Sequence, residues 1–207
     1  MLSSTAVLLS DPAVRAIPVH ECGESLTRLP AAFGPARALV RPRVAAALAE
    51  AAALLPSGIA LRVVEGHRRA RDQKAIIQSY RRELAARNPR AGAAELERLA
   101  SRFVAPLDVA PHVAGAAVDL TLVDHLGRPL DLGTPIDATP EASAGACYLD
   151  HEPLPEAARA NRLVLRTVLD RAGLVNYPTE WWHWSLGDRY WALVTGADAA
   201  VYGPVNA

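Results

Sequence analysis

Two short stretches of this chain hold residues whose types and spacing could do metal chemistry. One is Glu180-Trp181-Trp182-His183-Trp184, and the other is His112-x-x-Gly115-x-Ala117-x-Asp119. Three tryptophans within four positions form a large apolar surface. A carboxylate and an imidazole set into such a surface are paired, metal-bound or catalytic. Glu-x-x-His alone fits a satisfied core histidine beside a surface glutamate equally well. The two stretches together offer two imidazoles and a carboxylate as ligands, with one glutamate left over. That is the inventory of a catalytic zinc site with an open coordination position.

The roles follow from the chemistry. Zinc held by His112, Asp119 and His183 would bind a water and lower its pKa towards ~7. Glu180, beside His183 but not needed as a ligand, would take the water's proton and pass it to a leaving amine. A tetrahedral intermediate also needs a positive partner for its oxyanion, which a fixed arginine can supply.

Positioning these groups makes demands on the backbone. His112 and Asp119 are seven residues apart, so a continuous strand would place them on opposite faces. A turn at Gly115 could bring both to one metal. Glu180 and His183 have the same parity conflict, so one of them sits at a bend or a strand end; the sequence leaves open which.

The elements around the two stretches are mixed. Residues 1–16 lack periodicity and read as an irregular arm, with a short strand near Ile17-Pro18-Val19. From Pro42 the pattern is helical, with Val44, Leu48, Ala52 and Leu55 on one face, and Pro56-Ser57-Gly58 ends it. Residues 59–65 form a strand rich in branched side chains, stopped by Gly66 and followed by His67-Arg68-Arg69. Helices are expected over 71–87 and 93–102, their arginines forming a solvated face. A loop over 104–111 delivers His112. A strand over 117–123 puts Asp119 and Thr121 on one face and Val118, Leu120 and Leu122 on the other. A hairpin-like turn at 124–128 and a long polar loop over 131–145 follow. A helix over 155–173 carries Leu163, Leu165, Val168, Leu169 and Ala172, and 190–194 reads as a last strand. Without regular βαβ alternation, the expected fold is α+β, with a mainly antiparallel central sheet flanked by helices.

The bulk properties narrow the function classes. A length of 207 residues suits a single domain, 1–207, with a sizeable core. Lys+Arg and Asp+Glu both total 22, so no basic surplus points to nucleic acid or an anionic membrane. The N-terminus lacks a basic region ahead of its short apolar piece, and no run reaches the ~20 apolar residues of a membrane span. A cytoplasmic protein is therefore expected, with Cys22 and Cys147 as two buried reduced thiols.

The two motifs, taken together, resemble those of the zinc D-alanyl-D-alanine dipeptidases related to the vancomycin-resistance enzymes. These are grouped with the D-Ala-D-Ala carboxypeptidases and the hedgehog-type fold. The resemblance runs from about Ile17 to Trp184 and includes Glu65-Gly66-His67-Arg68, residues 116–122, Gly133-Thr134-Pro135-Ile136-Asp137, and Arg162-Leu163 through His183. It implies one zinc per chain on His112, Asp119 and His183, with Glu180 as general base. It also implies that Arg68 steadies the scissile carbonyl and that Asp137 sits near the substrate's ammonium end. The plainer alternatives are a strand-end ion pair with Glu65 for Arg68 and a loop cap for Asp137.

The chain departs from the vancomycin-resistance pattern at Ala110-Pro111, where serines stand, at Arg69, where proline stands, and at Ser143-Ala144-Gly145. None of these touches the expected metal ligands, but all lie where a substrate's ends could be read. The implied activity is hydrolysis of D-Ala-D-Ala or a similar small D-amino-acid dipeptide, with neither nucleic acid nor membrane as partner. Two alternatives are a D,D-carboxypeptidase acting on longer peptidoglycan stems and a hedgehog-like zinc-binding module without hydrolysis. Glu180 separates the last from the enzymes, because a binding module needs no base beside an open metal.

Overall fold

The computed structural model describes residues 7–205; the first six residues of the expected N-terminal arm lie outside them. In chain order the elements are α1 (Pro12–Ala16), β1 (Thr27–Arg28), β2 (Leu39–Val40), α2 (Pro42–Ala53), β3 (Ile59–Glu65), α3 (Ala70–Arg87) and α4 (Ala93–Ala100). They continue with β4 (Ala117–Asp124), α5 (Glu156–Arg171), β5 (Val175–Asn176), β6 (His183–Ser185) and α6 (Arg189–Thr195). β1 pairs with β2, and the main sheet has the order β3-β4-β6-β5 with every pairing antiparallel. The fold is α+β, as the mixed pattern implies.

β4 is the central strand, and all of it except Asp124 is buried. Its Val118, Leu120 and Leu122 pack with Leu61 and Val63 of β3, Val44 and Leu48 of α2, and Leu165 and Leu169 of α5. Each such side chain contributes about 1.5–3 kcal/mol on burial, so this layer fixes β4 firmly. The opposite face carries Asp119, which opens on a cavity lined by Gln73 and Ile76 of α3 and by Phe103, Val104 and Ala105 after α4. The register places Asp119 opposite Glu65 on one side and His183 on the other.

α2 begins with Pro42, whose missing N–H costs nothing in a first turn. α5 buries Ala158, Arg162, Leu165, Val168 and Leu169, while Leu163, expected among its apolar set, is 63% exposed. Arg162 takes part in the buried face because each of its three guanidinium nitrogens meets a backbone carbonyl. It donates to the carbonyls of Leu132, Tyr148 and Ala146 at 2.8, 2.6 and 2.7 Å, tying the long loop to the helix.

Four further expectations need correction. Residues 190–194 are not a strand but belong to α6. Aromatic and β-branched residues favour strands, yet Asp188 Oδ1 accepts from the amides of Tyr190 and Trp191, and Gly196 closes the helix with φ 73°. The arm is not irregular throughout, because Asp11 caps α1 over Pro12–Ala16 and Leu8 and Leu9 are buried. The strand expected near Val19 is a single bridge to Ala200. Cys147 is buried, but Cys22 is exposed; both are free. Among the described residues no helix is long and apolar enough to cross a membrane.

Candidate active site

His112 enters on a tight turn. Its carbonyl accepts from the Gly115 amide at 3.0 Å and from the Arg68 amide at 3.1 Å. Gly115 has φ 66°, a left-handed backbone where a side chain would be strained, and an added Cβ would run into Leu26. Arg41 clamps this turn from behind. Its amide donates to the Gly115 carbonyl at 2.8 Å, its Nε to Ala114 O at 2.8 Å, and its Nη2 to Glu21 Oε2 and Gly203 O at 3.1 and 3.2 Å. The turn re-phases the chain, so His112 and Asp119 face the same point despite their odd spacing.

Glu180 and His183 resolve their parity differently. The Glu180 amide donates to Tyr177 O at 2.9 Å and the His183 amide to Glu180 O at 3.3 Å, so Glu180 lies in a turn and His183 opens β6. Asn176 Nδ2 staples that turn by donating to the carbonyls of Glu180 and His183 at 2.8 and 3.0 Å. The tryptophans supply the bulk around it. Trp181 and Trp182 meet edge to face, and Trp184 Nε1 donates to Trp181 O at 3.0 Å.

The polar groups converge. Asp119 Oδ1 lies 3.1 Å from His183 Nδ1 and 3.3 Å from His112 Nε2, and the two ring nitrogens are 3.0 Å apart. All three residues are buried, and their candidate ligand atoms lie within 4.8 Å of one another. His112 Nδ1 lies 2.8 Å from the Gly66 carbonyl; donating its proton there leaves the Nε2 lone pair for the cluster. Two basic nitrogens and a carboxylate oxygen aimed at one buried point are a donor set suited to zinc. Glu180 Oε2 stands 3.8 Å from His183 Nδ1, close to the cluster.

The charges are correspondingly perturbed. Burial alone would push the Asp119 carboxyl up, but His112 and His183 outweigh it and hold it well below the usual carboxylate range. Burial, reinforced by Asp119 and Asp137, pushes Glu180 well above that range. Asp137 is raised for the same reasons, burial first and then Asp119 and Glu65. His183 is lowered by burial, whereas for His112 the neighbouring Asp119 overcomes burial and raises it.

Arg68 is held rigidly. Its Nε donates to Glu65 Oε1 at 2.7 Å and its Nη2 to Glu65 Oε2, so the strand-end ion pair forms. Its guanidinium nevertheless lines the same cavity of about 230 Å³ as His112, Asp119, Asp137, Glu180 and His183. The ion pair and a part in the site are compatible. All six residues singled out in the sequence thus meet in one cavity. Asp137 has φ 63°, a conformation aspartate tolerates better than most residues. Gln73 and Tyr177 also line the cavity and were not foreseen. Gln73 lies in a helix whose arginines read as a solvated face, and nothing in its spacing marks it out.

With this geometry in place, comparison with known families is decisive. The peptidase M15 model described as D-ala-D-ala dipeptidase matches residues 22–197. The chain belongs to this family. Among its relatives, it is 40% identical over 94 residues to a D-alanyl-D-alanine dipeptidase of Synechocystis sp., a match covering 42% of this chain and 38% of that protein. It is also 40% identical over 75 residues to the D-alanyl-D-alanine dipeptidase of Escherichia coli, covering 36% of this chain and 37% of that one. The matched stretches therefore span well under half the length of these relatives. A solved structure of VanYB in complex with D-alanine-D-alanine aligns over 90% of this chain and 94% of its own, at 16% identity and a TM-score of 0.43. Within the dipeptidase family match fall both motif stretches, the Arg68 segment and the loop carrying Asp137.

Proposed function

We propose that this protein is a zinc-dependent dipeptidase that hydrolyses D-Ala-D-Ala or a closely similar D-amino-acid dipeptide. The observation that carries this reading is the buried convergence of His112, Asp119 and His183 beside Glu180, a carboxylate the ligand set does not need. Membership of the D-ala-D-ala dipeptidase family supports it.

In this reading His112, Asp119 and His183 would hold one zinc ion, which would supply a water acidic enough to attack near neutral pH. Glu180 receives the proton of the attacking water and carries it to the leaving amine. Its burial favours the protonated form, so it binds a proton more readily than an exposed carboxylate and still returns it. Arg68, fixed by Glu65, presents positive charge to the carbonyl oxygen as negative charge develops there. Asp137 faces the substrate's ammonium, and its own carboxyl ionises more easily once that cation is present.

The enzyme would work on a soluble dipeptide of cell-wall peptidoglycan chemistry in the cytoplasm. The free, exposed thiol of Cys22 suits a reducing compartment. The test is elemental analysis of the purified protein together with a panel of dipeptides of defined chirality. About one zinc per chain and cleavage of D-Ala-D-Ala but not L-Ala-L-Ala are expected. Zinc without cleavage of any dipeptide would indicate a binding module, and preference for longer stem peptides would indicate a carboxypeptidase.

A further inference from the structure

Arg68 has five N–H groups, and the structure accounts for three of them. Nε and Nη2 bond the two oxygens of Glu65, and Nη1 donates to Gln73 Oε1 at 2.8 Å. Gln73 is 1% exposed on α3, and its Nε2 donates to the Ala105 carbonyl at 2.8 Å. Both Arg68 and Gln73 line the cavity that holds the metal-ligand cluster. Among the described residues, one N–H on each terminal nitrogen of Arg68 has no protein partner.

The bidentate pair with Glu65 engages Nε and Nη2 and leaves Nη1 to another partner. Three carboxylates, Asp119, Asp137 and Glu180, share the cavity and pull on the same cation. The carboxamide of Gln73 adds a third point, on a different nitrogen, rooted in α3 and in the Ala105 carbonyl. Its two bonds use an acceptor and a donor at once, which a carboxylate, an amine or an apolar side chain cannot do in this orientation.

We infer that Gln73 is a positioning residue for the hydrolysis, holding Arg68 so that its two unpartnered N–H groups face the reacting carbonyl oxygen. The inference rests on the reading of Arg68 given above. Gln73 acts only through Arg68, so its removal costs transition-state stabilisation and leaves substrate binding largely intact.

The test is a double-mutant cycle on the zinc-loaded enzyme with D-Ala-D-Ala. Gln73→Met, which keeps the volume and loses both bonds, is expected to lower kcat by about 10–10²-fold with KM changed less than ~3-fold. In an Arg68→Ala background the same substitution is expected to change kcat by less than ~2-fold. Equal losses in both backgrounds would overturn the inference, as would a change confined to KM. Should Gln73→Met fail to fold, Gln73→Glu takes its place, because it keeps the acceptor for Arg68 and loses only the donor to Ala105. It is then expected to keep kcat within ~5-fold of wild type, and a loss as large as that of Arg68→Ala would overturn the inference. An inactive wild-type protein would defeat the reading of the site itself. An active wild type with additive losses would defeat only the role of Gln73.

Discussion

Asp119 and His183 sit directly opposite one another on adjacent antiparallel strands, with Asp119 Oδ1 3.1 Å from His183 Nδ1. Two of the three candidate metal ligands are therefore a cross-strand pair, set by the same hydrogen-bond ladder that builds the sheet. A slip of one residue in the β4–β6 register would turn one of the two side chains to the far face. The third group, His112, reaches the pair through a turn, and so depends on local backbone geometry instead of on the ladder.

Removing a ligand is the first test. His112→Ala and His183→Ala are each expected to lose zinc and activity together, because neither remaining pair closes a site. Elemental analysis after gel filtration checks this. Stoichiometric zinc in the folded His183→Ala protein would take His183 out of the ligand set.

The second test separates ligand from base. Glu180→Gln is close in size to the native residue and leaves all three proposed ligands in place. It is expected to keep zinc while turnover falls by roughly 10²–10⁴-fold, since the proton acceptor is gone. Near-normal turnover in the zinc-loaded variant would show that another group takes the proton.

The turn makes a separate prediction. Gly115→Ala places a side chain at φ 66° against Leu26, a strain of order 1–3 kcal/mol. Because the Gly115 amide donates to His112 O, the strain falls on the residue that carries the imidazole. Lower thermal stability and weaker zinc retention against a chelator are expected together. Arg41→Lys should act in the same direction, since an ammonium cannot reproduce the fork that reaches Ala114, Glu21 and Gly203. Unchanged chelator resistance in both variants would show that the turn does not govern the site.

Much of this site was legible in the sequence for identifiable reasons. β3, β4 and α2 follow from runs of branched and apolar residues with clear period and clear stops, and Gly115 stood out as the break that parity required. What the sequence hid depends on tertiary contacts. Arg162 lay outside the apolar set expected for its helix, yet it is buried because backbone carbonyls of Leu132, Ala146 and Tyr148 converge on it. α6 reads as a strand because its residue types favour one, while a single cap at Asp188 decides for a helix. The placing of Glu180 in a turn and His183 in a strand depends on Asn176, four and seven residues away, whose amide bonds both carbonyls.

The last prediction concerns substrate size and the loop over 131–145. This loop is long, yet it is tied down at several points. Tyr80 Oη donates to Glu141 Oε2 at 2.5 Å, Arg102 pairs with the same carboxylate, and Arg162 holds the loop's start through the Leu132 carbonyl. Trp181 Nε1 adds a bond to Thr134 Oγ1 at 2.8 Å. A loop anchored in this way presents Asp137 as a fixed wall of the cavity and not as a mobile flap. A cavity of about 230 Å³ leaves little room beyond a dipeptide of small side chains. An N-acetyl group would remove the charge that Asp137 faces in the proposed reading and add volume at the same end. N-acetyl-D-Ala-D-Ala is therefore expected to be cleaved at least ~10²-fold more slowly than D-Ala-D-Ala, because a carboxylate half-buried for an ammonium is left unpaired. Asp137→Asn keeps the shape and tolerates the left-handed backbone while deleting the charge. It should slow the free dipeptide most and narrow the gap between the two substrates. Steady-state kcat/KM for both substrates on both proteins measures this, and equal wild-type rates on free and acetylated dipeptide would reject a closed ammonium end in favour of a site open to longer peptides.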